Sequence, residues 1–509
     1  MRTKRFLAAL AITTGLVLPT IHAGPAEAGR DDDKFVVALY EGLSGVDTFN
    51  LTTPVRLLRG IIDGFLTAFD AEGGIEPGVA ESYNFADPNS LDFVLREGVK
   101  FHDGSVLNAD DVVFTFEATQ HPGTEATSLA QRTSIWLDRV EKTGPMSVRL
   151  HLNPGSNHAL VLFDLAGGIP LRQKDAFEPG VVQTEVNALG PYKVVSSNDQ
   201  EINFERHDDF YNKDKIPKIK FMTIRNIPDW GTQQAEMLSG GINFMFAVPE
   251  DIAQNLVKSN PGLDLVRAET MSLQLLSMNP AETFDGKPNA LANADVRRGI
   301  IHAINRQSII ENLRPGRRVT DTPCQPDQTG CDVASAVAYE YSPEKAKELF
   351  AKAGFPDGFD LTLWAASDED IAGAVAADLT AAGVRAELRV APEPTIEKMA
   401  EEKNLQMLME LYGNSSNPDI FRSVSVIHNP KEDTAIALDP EVTAVLDELT
   451  KTMDTEPRNE LFKKLVHLIT GKALQVPIST VTQNWVLNDV VLKQPADKAT
   501  PRFAETTWK

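Results

Sequence analysis

Capped helices alternating with strands through the second half of the chain are the feature that most narrows the fold. Ser342-Pro343-Glu344 has the form of a helix start, because Pro is pre-set for the first helical position and Glu favours the positive end of the helix dipole; Gly354 has the form of its end. Asp439-Pro440-Glu441 repeats the device ahead of Val442, Val445, Leu446 and Leu449. Asp295 is expected to cap a helix with Val296, Ile300 and Ile304 on one stripe, and Asn305 to open another through Ile309 and Ile310. Between them, a helix around Val375 and Leu379 runs into Val384–Val390, where apolar and charged residues alternate as a strand requires. Helix followed by strand, repeated, implies an α/β organisation. In the first half, Phe35–Tyr40 reads as a buried strand ending in the loop Glu41-Gly42-Leu43-Ser44-Gly45, the position at which α/β sheets meet ligands. Leu91–Leu95 follows as a strand by alternation, His102-Asp103-Gly104 as a turn, and Asn108 as the cap of a helix carrying Val112, Val113 and Phe116.

A chain of 509 residues exceeds the ~250–300 at which one hydrophobic core stops growing, so two or three domains are expected, with a cleft between them. The net charge of −23 argues against nucleic acid or an anionic membrane as partner, since both require a positive potential. Arg2, Lys4 and Arg5 precede an apolar run from Phe6 to Leu18, and Ala26-Glu27-Ala28 offers small residues for cleavage, so residues 1–28 read as a secretory signal. That run is shorter than the ~20 residues that span a bilayer, and no Cys follows it to carry a lipid. A free periplasmic protein is expected. The two cysteines, Cys324 and Cys331, lie in a polar, turn-rich stretch that suits a disulfide-closed loop in an oxidising compartment; two free thiols are the alternative, and a zinc site would want further ligands nearby.

Motifs for the common enzyme classes are missing. There is no Gly-x-Ser-x-Gly elbow, phosphate loop, His-Glu-x-x-His helix or dinucleotide turn. The nine His are scattered without ligand spacing, and His102 beside Asp103 reads as a turn packing on its own loop, since a general base needs a reacting group in reach. Asp110-Asp111 and Asp208-Asp209 read as solvated or capping carboxylates. No catalysis, cofactor or metal is expected.

Leu95–Gly104, followed by Asn108–Phe114, resembles the signature of the family 5 extracellular solute-binding proteins of ABC importers. Leu189–Lys193, Ile227-Pro228-Asp229, Met278-Asn279, Asp295–Arg306 and Tyr341–Phe359 match in the family's order. The resemblance implies a two-lobed periplasmic binding protein of the type II-like α/β class, with a small domain inserted in the first lobe. On that reading residues 29–54, 183–270 and 478–509 form the first lobe, 55–182 the insertion and 271–477 the second lobe. Leu273–Met278 and Trp485–Asn488 fall where the family crosses between lobes. Such a protein is expected to be a monomer that closes on a peptide or peptide-like solute and delivers it to an inner-membrane permease and ATPase complex.

The same resemblance places Asn414 where peptide-binding relatives carry an Asp that pairs with the ligand's α-amino group; Glu410 and Asp419 are the carboxylates nearby. A neutral amide lacks the charge-assisted bond an ammonium prefers, worth roughly 1.5–3 kcal/mol. Opines, oligosaccharides and metal chelates therefore stand beside peptides as candidate solutes. Tyr40, Glu41, Gln274, Trp364, Tyr412 and Ser415 are further candidate contacts, with Asn484 and Trp485 behind them. A secreted hydrolase with an interdomain active site is the rival reading.

Overall fold

The computed structural model describes residues 29–40, 42, 45–49, 53–70, 74–121, 128–154, 156, 158–326, 328, 330–413, 420–452, 455–493 and 500–509. Strand β1 (Lys34–Leu39) is buried along all but its first residue. The chain then leaves the main sheet to build an antiparallel sheet of its own from β2 (Ala80–Asp87), β3 (Ser90–Leu95), β4 (Leu137–Gly144) and β5 (Ser147–Leu152), ordered β2-β3-β5-β4. Alternation along β3 and β5 turns Leu91, Phe93, Leu95, Val148 and Leu150 into a core shared with Val112 and Phe116 of the helix Ala109–Thr119. That helix starts at Asn108 in a reciprocal box, in which Asp110 N donates to Asn108 Oδ1 at 2.7 Å and Asn108 N to Asp111 Oδ2 at 3.0 Å.

The main sheet resumes with β6 (Tyr192–Ser197), β7 (Glu201–Arg206), β8 (Phe221–Asn226) and β9 (Phe244–Met245). β8 and β9 flank β1 in parallel, and both faces of β1 are covered: Phe35, Val37 and Leu39 pack with Ile224 and Trp485, and Val36 and Ala38 with Met237 and Val486. An unbroken apolar run is what such double burial demands. β10 (Leu263–Met278) is long, at 16 residues. After it come β11 (Asp360–Ala365), β12 (Arg385–Val390), β13 (Met407–Gly413) and the 14-residue β14 (Gln475–Asn488). One ten-stranded sheet results, ordered β12-β11-β13-β10-β14-β9-β1-β8-β7-β6.

Caps stand at Asn305, Ser342 and Asp439 as the sequence implies, and Gly354 adopts a φ of +96°. One start differs. The helix Ala294–Ala303 is capped by Asn293, whose Oδ1 accepts Asp295 N at 2.8 Å, and Ile304 lies past its end. Asp295 sits inside the first turn and bonds Arg298 and Lys352 instead, at 3.1 and 2.9 Å. An Asn at the cap leaves the carboxylate at a position the helix dipole also favours.

Candidate functional site

Strand direction places the site. β1, β8 and β9 are parallel; β14 runs against β9, β10 against β14, β13 against β10, and β11 along β13. The C-terminal ends of both groups of parallel strands therefore point toward one crevice, the position where open α/β sheets bind ligands. β9 meets β14 only at Val486 and Leu487, and β13 meets β10 only from Ser272 onward, so among the described residues β10 and β14 alone cross between.

That crossing is irregular. Glu269 faces Thr482, but Leu273 faces Thr480, so β10 carries extra residues at Thr270–Ser272. Thr270 Oγ1 donates to Val481 O at 3.0 Å and accepts Ser272 N at 3.1 Å. Gln325 Nε2 donates to the carbonyls of both Thr270 and Ser272, each at 3.0 Å. Cys324 and Cys331 form the disulfide that frames this loop, so the staple sits beside the hinge and fixes the residue that satisfies it. Sequence reading identifies the bond; its contact with the crossing strand is long-range and leaves no local signal.

Tyr40 follows β1 at the crevice, 44% exposed, and stacks on Trp230 with ring centroids 4.6 Å apart and planes 10° from parallel. Trp230 opens the helix Trp230–Ser239, where Asp229 Oδ1 accepts Thr232 N at 2.7 Å. The pair is an open aromatic face that could stack on a flat or apolar solute. Trp230 was legible only as the residue after the matched Ile227-Pro228-Asp229.

Tyr412 lies one residue before the end of β13, opposite Leu273, and packs in part against the cluster of Leu273, Ile420 and Val424. Gln274 lies on the neighbouring strand, fully buried, with Nε2 donating to Glu410 O at 3.2 Å and Oε1 without a partner. Trp364 stands apart from them, separated from β10 by β13, with Arg389 over its ring at 5.6 Å. Asn484 Nδ2 donates to Val248 O at 3.1 Å, tying β14 to the segment after β9. Trp485 is core, fully buried against Phe244 and Phe246. Glu41, Asn414, Ser415 and Asp419 lie outside the described residues. The structure thus sets Tyr412 beside Leu273 and Gln274 on the opposite face of the same strand pair, and, across the crevice, stacks Tyr40 on Trp230.

Buried polar groups nearby carry their own chemistry. Glu410 Oε1 accepts Ser277 Oγ at 2.6 Å, and burial pushes its carboxyl up to about 7. Ser277 Oγ in turn accepts Gln475 Nε2 at 3.2 Å. Away from the crevice, His102 Nε2 and His207 Nδ1 both meet Gly190 O, at 3.1 and 3.2 Å, and burial holds His102 down to about 3. Asp103 accepts Ser105 N and Oγ, so His102 and Asp103 build a turn and no dyad. Among the described residues, no group of three or more His, Cys, Asp or Glu is placed to hold a metal ion.

Residues 74–431 match the model of the bacterial extracellular solute-binding proteins, family 5. The chain is 27% identical to the glutathione-binding protein of Salmonella typhi over 380 residues, covering 73% of this chain and 69% of that one. It is 26% identical to heme-binding protein A of Haemophilus influenzae over 441 residues, 80% and 79% of the two chains. Its fold is similar to that of HbpA2 from Haemophilus parasuis, with a TM-score of 0.82, 21% identity and coverage of 94% and 100%.

Proposed function

We propose, from the premise that this chain belongs to the family 5 bacterial extracellular solute-binding proteins, that it captures a peptide-like solute between two lobes and delivers it unaltered. The receiver is an ABC permease and ATPase complex in the inner membrane, and residues 1–28 address the chain to the periplasm as a free monomer. One observation carries the reading: among the described residues, only β10 and β14 cross between two groups of strands whose C-terminal ends share one crevice. Closure of such a hinge shifts only as far as the solute binds the closed form better than the open one. Tyr40, Glu41, Gln274, Trp230, Tyr412, Asn414 and Ser415 are the contacts we assign, with Trp364 set apart from β10 by β13.

Glutathione, the ligand named for one relative, is a modified tripeptide whose γ-linkage moves its α-ammonium off the peptide backbone, and the neutral Asn414 suits solutes that do not place an ammonium there. Mass spectrometry of solute carried through purification, followed by thermal-shift titration with reduced glutathione and dipeptides, tests the proposal. Saturable binding of unchanged solute is expected, raising stability by roughly 2.7 kcal/mol at a hundredfold excess over Kd. Turnover of the solute, or no saturable binding, overturns it.

A further inference from the structure

Four arginines gather where the two halves meet. Arg267 lies on β10; Arg314, Arg317 and Arg318 lie on the loop after the helix Arg306–Leu313. That loop is fastened to β14 at the crossing, with Thr480 N donating to Arg318 O at 2.8 Å and Arg318 N to Thr480 Oγ1 at 3.1 Å. A Cβ added to Gly316 would stand 3.4 Å from the Arg267 side chain, so the loop also lies against β10.

Three of the four are committed. Arg267 pairs with Glu250 at 2.7 Å, Arg318 with Glu269 at 2.9 Å, and Arg314 with both Asp368 at 2.6 Å and Asp370 at 2.8 Å. Arg317 has no ion pair among the described residues, and its Nη1 is buried without a hydrogen-bond partner. Burial pulls its pKa down, while Asp368 acts on it from longer range in the opposite sense. A guanidinium presents five donors in a planar fork and stays charged, so a buried donor left unmade costs more here than at a neutral group. An acceptor supplied from outside the chain removes that cost.

We propose that Arg317 is the anion-binding residue of the crevice, its guanidinium receiving a carboxylate of the captured solute. The inference rests on the solute-capture reading above. The fork matches a planar carboxylate in a bidentate pair. Asp368 and Asp370 close by would repel a phosphate dianion more than a single carboxylate charge, so a carboxylic acid is the class that fits.

The test uses the mature full chain, freed of carried-over solute, with Arg317→Met and Arg317→Lys. Calorimetric titration uses four probes: reduced glutathione, its diester, heme, and heme dimethyl ester. Wild type should bind at least one free acid more tightly than its ester. Arg317→Met should bind that acid about 10- to 100-fold more weakly and the ester unchanged, and Arg317→Lys should fall between. Ligand-free Arg317→Met should melt no lower than wild type, because Met replaces a charge that lacked a partner. Equal affinity of wild type and Arg317→Met for the acid refutes the role of Arg317 and leaves solute capture standing. A lower melting temperature for the ligand-free variant makes Arg317 structural and also refutes it. Wild type binding none of the four probes refutes this inference, which requires a preference for the free acid, while solute capture is read separately from the solute carried through purification.

Discussion

Replacing Glu410 with Gln should stabilise the protein, and increasingly so as the pH rises. The carboxyl accepts one hydrogen bond, from Ser277 Oγ, and burial raises its pKa from 4.5 to about 7 with no cation among the causes of its shift. A folded-state pKa above the unfolded one means that the folded chain holds a proton the unfolded chain has released. The neutral group's contribution is complete below about 4.5 and is lost as the pH climbs through about 7. A shift of about 2.5 units at 1.36 kcal/mol each gives a ceiling of roughly 3.4 kcal/mol, and partial access of solvent to the side chain brings the expected figure nearer 2 kcal/mol. Gln keeps the shape and an oxygen to accept from Ser277, yet never ionises. Denaturant unfolding of ligand-free wild type and Glu410→Gln should therefore coincide near pH 4 and separate by about 2 kcal/mol at pH 8. A difference of constant size across that range would show that the substitution acts through packing, and the argument from burial would be wrong.

Burial acts on His102 in the opposite sense: with its pKa held from 6.5 down to about 3, the unfolded chain takes up the proton first and stability falls as the pH drops below 6.5. Between pH 6.5 and 5 this residue alone should remove about 2 kcal/mol from wild type, a loss His102→Gln should not share; equal acid sensitivity in both proteins rules it out. Converting Cys324 and Cys331 to Ser opens a loop whose ends are 7 residues apart, which loop-closure entropy values at about 2.5 kcal/mol, readable as a lower denaturation midpoint with an unchanged slope. No change in midpoint would mean that the reduced loop holds its shape unaided. Tyr40→Ala and Trp230→Ala should each weaken solute binding about fivefold or more while leaving the melting temperature of the ligand-free protein within a degree or two. Wild-type affinity in both variants would take this stack out of the site.

Local signals made much of the fold legible. The strand at Val384–Val390 and the caps at Asn305, Ser342 and Asp439 each rest on a handful of adjacent residues, and the structure agrees with them. Asn293 and Asp295 are equally good cap residues two positions apart, and local propensity does not separate them; the structure places the cap at Asn293. Trp485 failed as a site candidate because an aromatic on a strand reads alike whether it faces solute or Phe244 and Phe246. Gln325, Trp230 and Arg317 acquire their meaning only from partners far away in sequence, or from the absence of one. Thr270 and Ser272 are 55 and 53 residues from Gln325, and nothing in the local pattern distinguishes its amide from a surface glutamine.

The contacts that span the crossing also fix where the energy for closure must come from. Arg318 to Glu269 is a solvent-exposed ion pair at 2.9 Å, a kind worth roughly 0–1 kcal/mol, so it cannot hold the lobes in either state, and Arg267 to Glu250, half-buried at 2.7 Å, lies within the first lobe. The bulge at Thr270–Ser272 is instead satisfied internally, by Thr270 Oγ1 and by the two bonds from Gln325, so bending there need not expose an unpaired carbonyl. A hinge of two strands with its backbone already satisfied offers little resistance and little bias. Moving such an equilibrium from mostly open to mostly closed takes about 5.5 kcal/mol of differential binding. On the proposed contacts, stacking on Tyr40 and Trp230 would supply about 1 kcal/mol of that, and a charge-assisted fork at Arg317 roughly 1.5–3 more. The remainder would have to come from further contacts that the solute makes on both sides of the crevice. A solute that cannot reach both sides of the crevice at once should therefore bind without closing it.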